Sequence, residues 1–349
     1  MTKIIISSAE SRKAFDVFNI VKSKVKDIKL VSKAGKIKRF FLSIVYFRNI
    51  ETYESIKFLD DSWQFYPIEE EDIEFLYSFK YNFRCHVPEK KQFFNSIDKL
   101  NLRKVCEDFD IPYPKTLELR KENIDKLKFP VYIKPRRGMG SKGVKKFNNL
   151  DDLENFIASH DIQKFIIQES VESDNGITSG CFFSVNGQIK SYYSHRRILT
   201  YPVQNGATVR SRSIIDKEIL ELGKRYIKKS NWSGLIMFEF LRCKEKNSFY
   251  LIEVNPRPWG SIILSDYCDS KLIDNSLSWE HSNYLVKGKS DKVIRWVFPF
   301  EILHLIKGNL HIRDLFDKGC VINFYKSNFL SSVLFTIVFV FDLKKIFEK

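Results

Sequence analysis

The chain has 349 residues, with 58 Lys and Arg against 43 Asp and Glu for a formal net charge of +15. Its 44% hydrophobic and 15% aromatic content excludes a disordered chain and allows two or three packed domains. The positive charge favours anionic partners, but it is spread along the chain and accompanies no nucleic-acid-binding motif, which disfavours DNA or RNA.

The first elements alternate strand and helix. Residues 3–7 (KIIIS) read as a buried strand and Glu10–Lys24 as a helix; Val31, Phe40–Phe47 and Phe65–Ile68 offer further strands. This βα alternation predicts a parallel sheet covered by helices. Ser7-Ser8-Ala9-Glu10 stands where a dinucleotide site needs glycines, so residues 1–87 read as a Rossmann-like lobe without a phosphate fingerprint. A helix over Phe93–Phe109 follows, ended by Asp110-Ile111-Pro112.

The stretch from Phe129 to Val144 reads FPVYIKPRRGMGSKGV: an apolar strand ending in Lys134, then a basic turn with Gly138, Gly140, Ser141 and Gly143. Taken literally it contains G-x-G-x-x-G, but that fingerprint opens a helix directly. Here Val144–Phe147 reads as a second strand, and the helix waits until Asp151–Ser159, with Asn149 or Asp151 as its cap. Gly-Lys-Ser/Thr is absent, which excludes a Walker A loop. The pattern fits a hairpin flap over a polyphosphate, with an ordinary basic hairpin as the plainer alternative.

Phe165–Glu169 is an apolar strand ending in Gln168-Glu169, and Gly180–Val185 with Gln188–Tyr193 flank an Asn186-Gly187 hairpin turn. Ile214–Ser230 reads as a helix. Next come two strands, Gly234–Leu241 and Phe249–Asn255, joined by the turn Cys243–Ser248. Symmetric pairing puts Glu239 opposite or beside Glu253, with Cβ atoms ~5 Å apart, and Asn255 on the same face. Two carboxylates and an amide oxygen among Leu235, Met237, Leu251 and Ile252 suit Mg²⁺ or Mn²⁺ better than a solvated strand face. The rigid turn Pro256–Ser261 then presents Arg257.

Beyond residue 275, Trp279, His281, Trp296 and His304 read as packing residues. Phe329–Phe341 is apolar but shorter than the ~20 residues a membrane span needs. It reads as a buried C-terminal helix or strand pair, or as an in-plane membrane anchor within 329–349. The six cysteines form no C-x-x-C or metal-like cluster, and the N-terminal apolar run is too short for a signal peptide. Both point to a reducing cytoplasm, with the inner face of the membrane as the option the tail raises.

The order of a lysine near a helix start, a lysine–glycine flap, a strand ending in Gln-Glu, and Glu…Glu-x-Asn-Pro-Arg resembles the ATP-grasp superfamily. It is most similar to the ATP-binding domains of carbamoyl-phosphate synthetase large chains, over roughly residues 88–275. The resemblance implies an α/β (α+β) fold. A Rossmann-like domain over 1–87 precedes a two-lobed ATP-grasp domain with antiparallel sheets: a flap-bearing lobe at 88–165 and a metal-bearing lobe at 166–275. An extension covers 276–349.

The same resemblance implies ATP and Mg²⁺ as cofactors. Lys99 and Lys134 would meet the nucleotide phosphates, under a flap of Gly138, Gly140, Ser141 and Gly143. Gln168 and Glu169 match the hinge at the adenine, and Glu239, Glu253 and Asn255 the metal ligands. Arg257, acting with Lys134, matches the arginine at an acyl-phosphate. The family's ribose carboxylate falls at Asn175, with Asp174 beside it. Arg196, Arg197 and Arg210 lie in a segment that resembles a substrate-side loop, where they would meet an acidic substrate or simply form a solvated basic loop.

The implied activity is ATP-dependent activation of a carboxylate and its joining to an amine, by an enzyme that in this family is often a homodimer. The carboxylate would be a small molecule or sugar-linked. The alternatives are a carbamoyl-phosphate-synthetase-like enzyme phosphorylating bicarbonate, or a non-catalytic nucleotide-binding module.

Overall fold

The computed structural model describes residues 3–124, 126–138, 143–173, 176–201, 207–280, 284–295, 301–311, 320–322 and 329–347. The first sheet holds β1 (Lys3–Ile6), β2 (Asp27–Val31), β3 (Ile50–Glu51) and β4 (Trp63–Tyr66). Its strands are parallel in the order β3-β2-β1-β4. Ile4, Ile5 and Ile6 are all buried, as a parallel strand covered on both faces requires. Residues 40–47 are not the expected strand: the helix Lys36–Tyr46 contains all but the last of them. Apolar residues occupy both sides of that helix, so its run is continuous and hides the helical period.

The expected helix over Phe93–Phe109 is broken into Lys90–Ile97 and Lys99–Phe109. Asp98 makes the break. Its Oδ1 accepts from the backbone N–H groups of Leu100 at 3.0 Å and Asn101 at 3.3 Å, the N-cap role short acidic side chains favour.

The second sheet holds β5 (Thr116–Glu118), β6 (Val131–Pro135), β7 (Lys145–Phe147) and β8 (Phe165–Glu169), antiparallel in the order β5-β8-β6-β7. The glycine-rich turn joins β6 to β7. A helix, Leu150–Ser159, follows, with Asn149 rather than Asp151 as its cap.

The third sheet holds β9 (Ile177–Val185), β10 (Gln188–Tyr201), β11 (Ala207–Ile214), β12 (Gly234–Cys243), β13 (Ser248–Asn255), β14 (Val286–Lys287), β15 (Val293–Arg295) and β16 (Cys320–Ile322). The main path runs β13-β12-β9-β10-β11-β15-β16, with β14 paired to β10. Asn186 and Gly187, both at positive φ (47° and 73°), close the β9–β10 hairpin as the sequence predicts. The helix expected from Ile214 begins instead at Lys217, because Ile214 ends β11 and Asp216 caps the helix Lys217–Lys229. That helix lies on the sheet so closely that a Cβ on Gly223 would fall 2.2 Å from Phe182 Cζ.

One apolar core joins the first sheet to the third, running from Ile4 and Phe15 through Cys181 and Met237 to Trp259. The C-terminal apolar segment is a helix, Phe329–Phe347, whose Phe335 stacks on Phe15 with ring centroids 4.5 Å apart. Among the described residues no helix is long and apolar enough to cross a membrane. Trp279 stacks on His86 at 3.9 Å and buried His304 hydrogen-bonds the Thr200 carbonyl, both packing roles; His281 and Trp296 lie outside the described residues.

Candidate active site

The chemistry-bearing strands are β12 and β13. In their register Glu239 faces Glu253 directly, but a bulge follows, and Phe240 pairs with Leu251. Phe238, Phe240, Phe249, Leu251 and Val254 enter the core beneath the helix Lys217–Lys229. Strict alternation from Phe249 and Leu251 would carry Glu253 into that core. The extra residue, Ile252, flips the phase and turns Glu253 to the opposite face, beside Glu239.

Two carboxylates therefore adjoin in a poorly hydrated cleft. Burial first, and the Glu239 charge second, raise the Glu253 pKa from 4.5 to about 7, against the pull of Lys99, Arg257 and Lys134. Glu239 accepts a hydrogen bond from Arg197 Nη2. Asn255 is buried, and its Oδ1 accepts from Arg257 Nη2 at 3.0 Å.

Lysines face these acids. Lys134, on β6, donates from Nζ to Gln168 Oε1 at 2.6 Å, and Gln168 Nε2 donates to Thr116 Oγ1 at 2.7 Å. Gln168 is thus buried as the holder of Lys134. Burial, and then the Lys99 charge, lower the Lys134 pKa from 10.5 to about 8. Lys99 opens its helix, takes a backbone bond to the Arg136 carbonyl at 3.0 Å, and donates from Nζ to the Gly138 carbonyl at 3.3 Å. Arg136 is tied in turn to the cap residue, Nη2 to Asp98 Oδ2 at 2.8 Å. Gly143 sits at φ +72°, and a Cβ there would meet Pro135 Cγ at 3.0 Å, so this turn position requires glycine. Gly140, Ser141 and Asp174 lie outside the described residues.

A cavity of about 460 Å³ opens between the second and third sheets, a size suited to a nucleotide. Lys99, Lys134, Glu169, Arg197, Glu239 and Glu253 stand in its wall, together with Gln168 and Gly138. Glu169 also accepts from the Lys128 backbone N–H at 3.4 Å. Asn255, Arg257, Arg196 and Arg210 do not line this cavity.

The basic segment expected as a loop is strand instead. Arg196 and Arg197 sit on β10 and Arg210 on β11, because pairing with β9 and β15 extends both strands past the predicted hairpin. Arg210 is ion-paired with buried Glu301, which also takes Arg295 Nη2 at 2.7 Å. The structure thus gives two of the arginines different environments: Arg197 turns to the carboxylates, and Arg210 to the C-terminal segment.

Sequence reasoning missed three groups around Arg257. Glu70 Oε1 lies 3.4 Å and Glu69 Oε2 3.8 Å from its Nε, and Lys13 donates to Glu69. Their only local signal was the acidic run Glu69–Asp72, which opens the helix Glu70–Leu76.

A family model described as an ATP-grasp domain matches residues 96–261. Residues 96–261 therefore resemble an ATP-grasp domain. Lys99, Lys134, Glu239, Glu253, Asn255 and Arg257 all fall inside the matched stretch. This chain is 23% identical over 210 residues to carbamoyl-phosphate synthase of Methanobrevibacter smithii, covering 56% of this chain and 55% of that protein. It is 24% identical over 186 residues to D-alanine–D-alanine ligase of Lactococcus lactis, covering 47% and 53%. It therefore spans about half the length of these curated relatives.

Solved structures that share the fold of this chain include the following two. The biotin carboxylase domain of Hydrogenobacter thermophilus 2-oxoglutarate carboxylase has a TM-score of 0.67 at 12% identity, over 84% of this chain and 73% of that one. N5-carboxyaminoimidazole synthetase of Staphylococcus aureus has 0.66 at 15%, over 88% and 85%.

Proposed function

We propose that this chain is an ATP- and Mg²⁺-dependent ligase that activates a carboxylate as an acyl-phosphate and joins it to an amine. The observation that carries the reading is the crowded Glu239–Glu253 pair facing the buried Lys134 across one nucleotide-sized cavity. In this reading residues 88–275 are the catalytic domain, 1–87 the preceding lobe and 276–349 an extension. Its setting is a reducing cytoplasm, where the described cysteines stay free.

The donor set fits a hard divalent cation. Among the described residues no three His, Cys, Asp or Glu side chains gather as a metal site. The two carboxylates Glu239 and Glu253, with the Asn255 amide oxygen, would hold Mg²⁺ or Mn²⁺, with substrate oxygens and water completing its shell. The elevated Glu253 pKa supports this, since a nearby cation offsets the burial and the Glu239 charge that raise it. When bound, the metal supplies neutralising charge at the phosphates.

The protein's own groups do the rest. Lys134 and Lys99 donate to phosphate oxygens of ATP, and the glycine-rich turn with Gly138 and Gly143 covers them. Glu169, with the strand edge beside it, borders the adenine. A bound carboxylate attacks the γ-phosphorus and ADP leaves. Arg257 sets positive charge where the acyl-phosphate forms, and Arg197 orients the acidic substrate while holding Glu239. The amine then attacks the acyl carbon, phosphate leaves, and the amine's proton passes to solvent. Positioning and charge stabilisation carry the rate, and no covalent enzyme nucleophile is needed.

The test is product release from ATP and Mg²⁺ against a pooled panel of amino acids, sugar acids and bicarbonate. ADP and phosphate released only with a carboxylate and an amine support the ligase. AMP release overturns the acyl-phosphate step, and release that bicarbonate alone supports makes the chain a bicarbonate-phosphorylating enzyme.

A further inference from the structure

The helix Lys36–Tyr46 has two apolar stripes, and only one is used. Leu42, Val45 and Tyr46 face the core, whereas Ile37, Phe40, Phe41, Ile44 and Phe47 are 77%, 63%, 52%, 42% and 65% exposed. Positions 37, 40, 41 and 44 follow the i, i+3, i+4, i+7 spacing of a continuous helical stripe, with Phe47 just past the helix end, so this is one face and not scattered residues.

The helix Phe329–Phe347 packs beside it, and its described side chains bury hydroxyls while exposing large apolar groups. Ser331, Ser332 and Thr336 are 0%, 2% and 4% exposed, while Phe329, Leu330 and Ile337 are 63%, 59% and 47% exposed. Phe335 turns inward onto Phe15 and Tyr46, and Leu334 and Val338 pack partly buried against the same core. A helix that buries its hydroxyls and presents Phe, Leu and Ile outward suits an apolar medium outside the protein.

We propose that these two outward faces form a docking surface for an anionic lipid membrane, lying in its plane. Charge decides between lipid and a second copy of the chain. Residues 32–50 contain Lys33, Lys36, Lys38, Arg39 and Arg48 and no Asp or Glu, and Lys33, Lys36 and Arg48 are exposed at the rim of the stripe. A two-fold dimer through this face would set those bases against their own copies. Acidic headgroups complement them while the acyl region takes the aromatic rings. No described helix is long and apolar enough to cross, which fits an in-plane contact.

The experiment is co-sedimentation of the full chain with vesicles of phosphatidylcholine alone or of phosphatidylcholine with a minor fraction of phosphatidylglycerol. The surface predicts binding to the anionic vesicles only, and weakening by salt. The variant Phe40→Ser/Phe41→Ser and the variant Lys36→Glu/Arg48→Glu should each lower the partition coefficient by about tenfold or more. A matched charge change on exposed residues elsewhere, Lys104→Glu/Lys228→Glu, should lower it far less. No preference for anionic vesicles, or an equal loss in that control, overturns the proposal. So does a concentration-dependent dimer in solution that Phe40→Ser/Phe41→Ser abolishes, because a second copy would then be the occupant.

Discussion

Substituting Glu253 by Gln should stabilise the metal-free protein while abolishing turnover. The Glu253 pKa is raised from 4.5 to about 7, so the folded state holds its proton more tightly than the unfolded state does. The resulting stabilisation is present at low pH and fades as pH climbs from 4.5 toward 7; above 7 the ionised carboxylate is a constant burden. At ~1.36 kcal/mol per pKa unit the burden is roughly 3 kcal/mol, and solvent in the open cleft reduces it to about 2 kcal/mol. Glutamine has the same shape and cannot ionise. With a chelator present, Glu253→Gln should therefore melt a few degrees above the parent at pH 8 and within about a degree of it at pH 5. Adding Mg²⁺ and ATP reverses the order: the parent gains about 2.7 kcal/mol at a hundredfold excess over Kd, and the variant gains little. Differential scanning fluorimetry at the two pH values, with phosphate release measured in parallel, checks all three statements. A variant no more stable than the parent at pH 8 would show that ionised Glu253 is no burden in its buried place beside Glu239, and the metal assignment would lose its physical basis.

Three other outcomes follow from the same geometry. Lys134 loses its proton above about pH 8, so kcat/KM for ATP should fall along that limb. Lys134→Arg, which stays charged, should keep its lower plateau to higher pH, and a limb that does not move in the variant excludes Lys134. Asp98→Ala removes a helix cap and the partner of Arg136, costing about 1–2 kcal/mol in urea unfolding and raising KM for ATP severalfold; an unchanged KM would mean that this joint does not position Lys99. Gly223→Ala drives a methyl group into Phe182 and should cost about 1–3 kcal/mol despite alanine's better helix propensity, read from the urea midpoint.

Much of the site was legible in the sequence because its parts obey short-range rules. Alternation over a few residues marks β12 and β13, Asn186-Gly187 marks the hairpin, and a symmetric turn brings Glu239 within one residue of facing Glu253. The isoleucines of β1 likewise announce a parallel strand buried on both faces. Tertiary structure decided which way the groups point and what charge they meet. The bulge at Ile252 turns Glu253 out of the core, a choice that alternation alone contradicts. Arg197 reaches Glu239, Arg210 is drawn to Glu301, and Gln168 is spent on Lys134. Glu69 and Glu70 approach Arg257 from the first lobe. Spacing along one segment sets its periodicity and its turns, whereas the partner of a buried charge is whichever opposite charge the assembled layers bring within a few ångströms, and no local pattern records that.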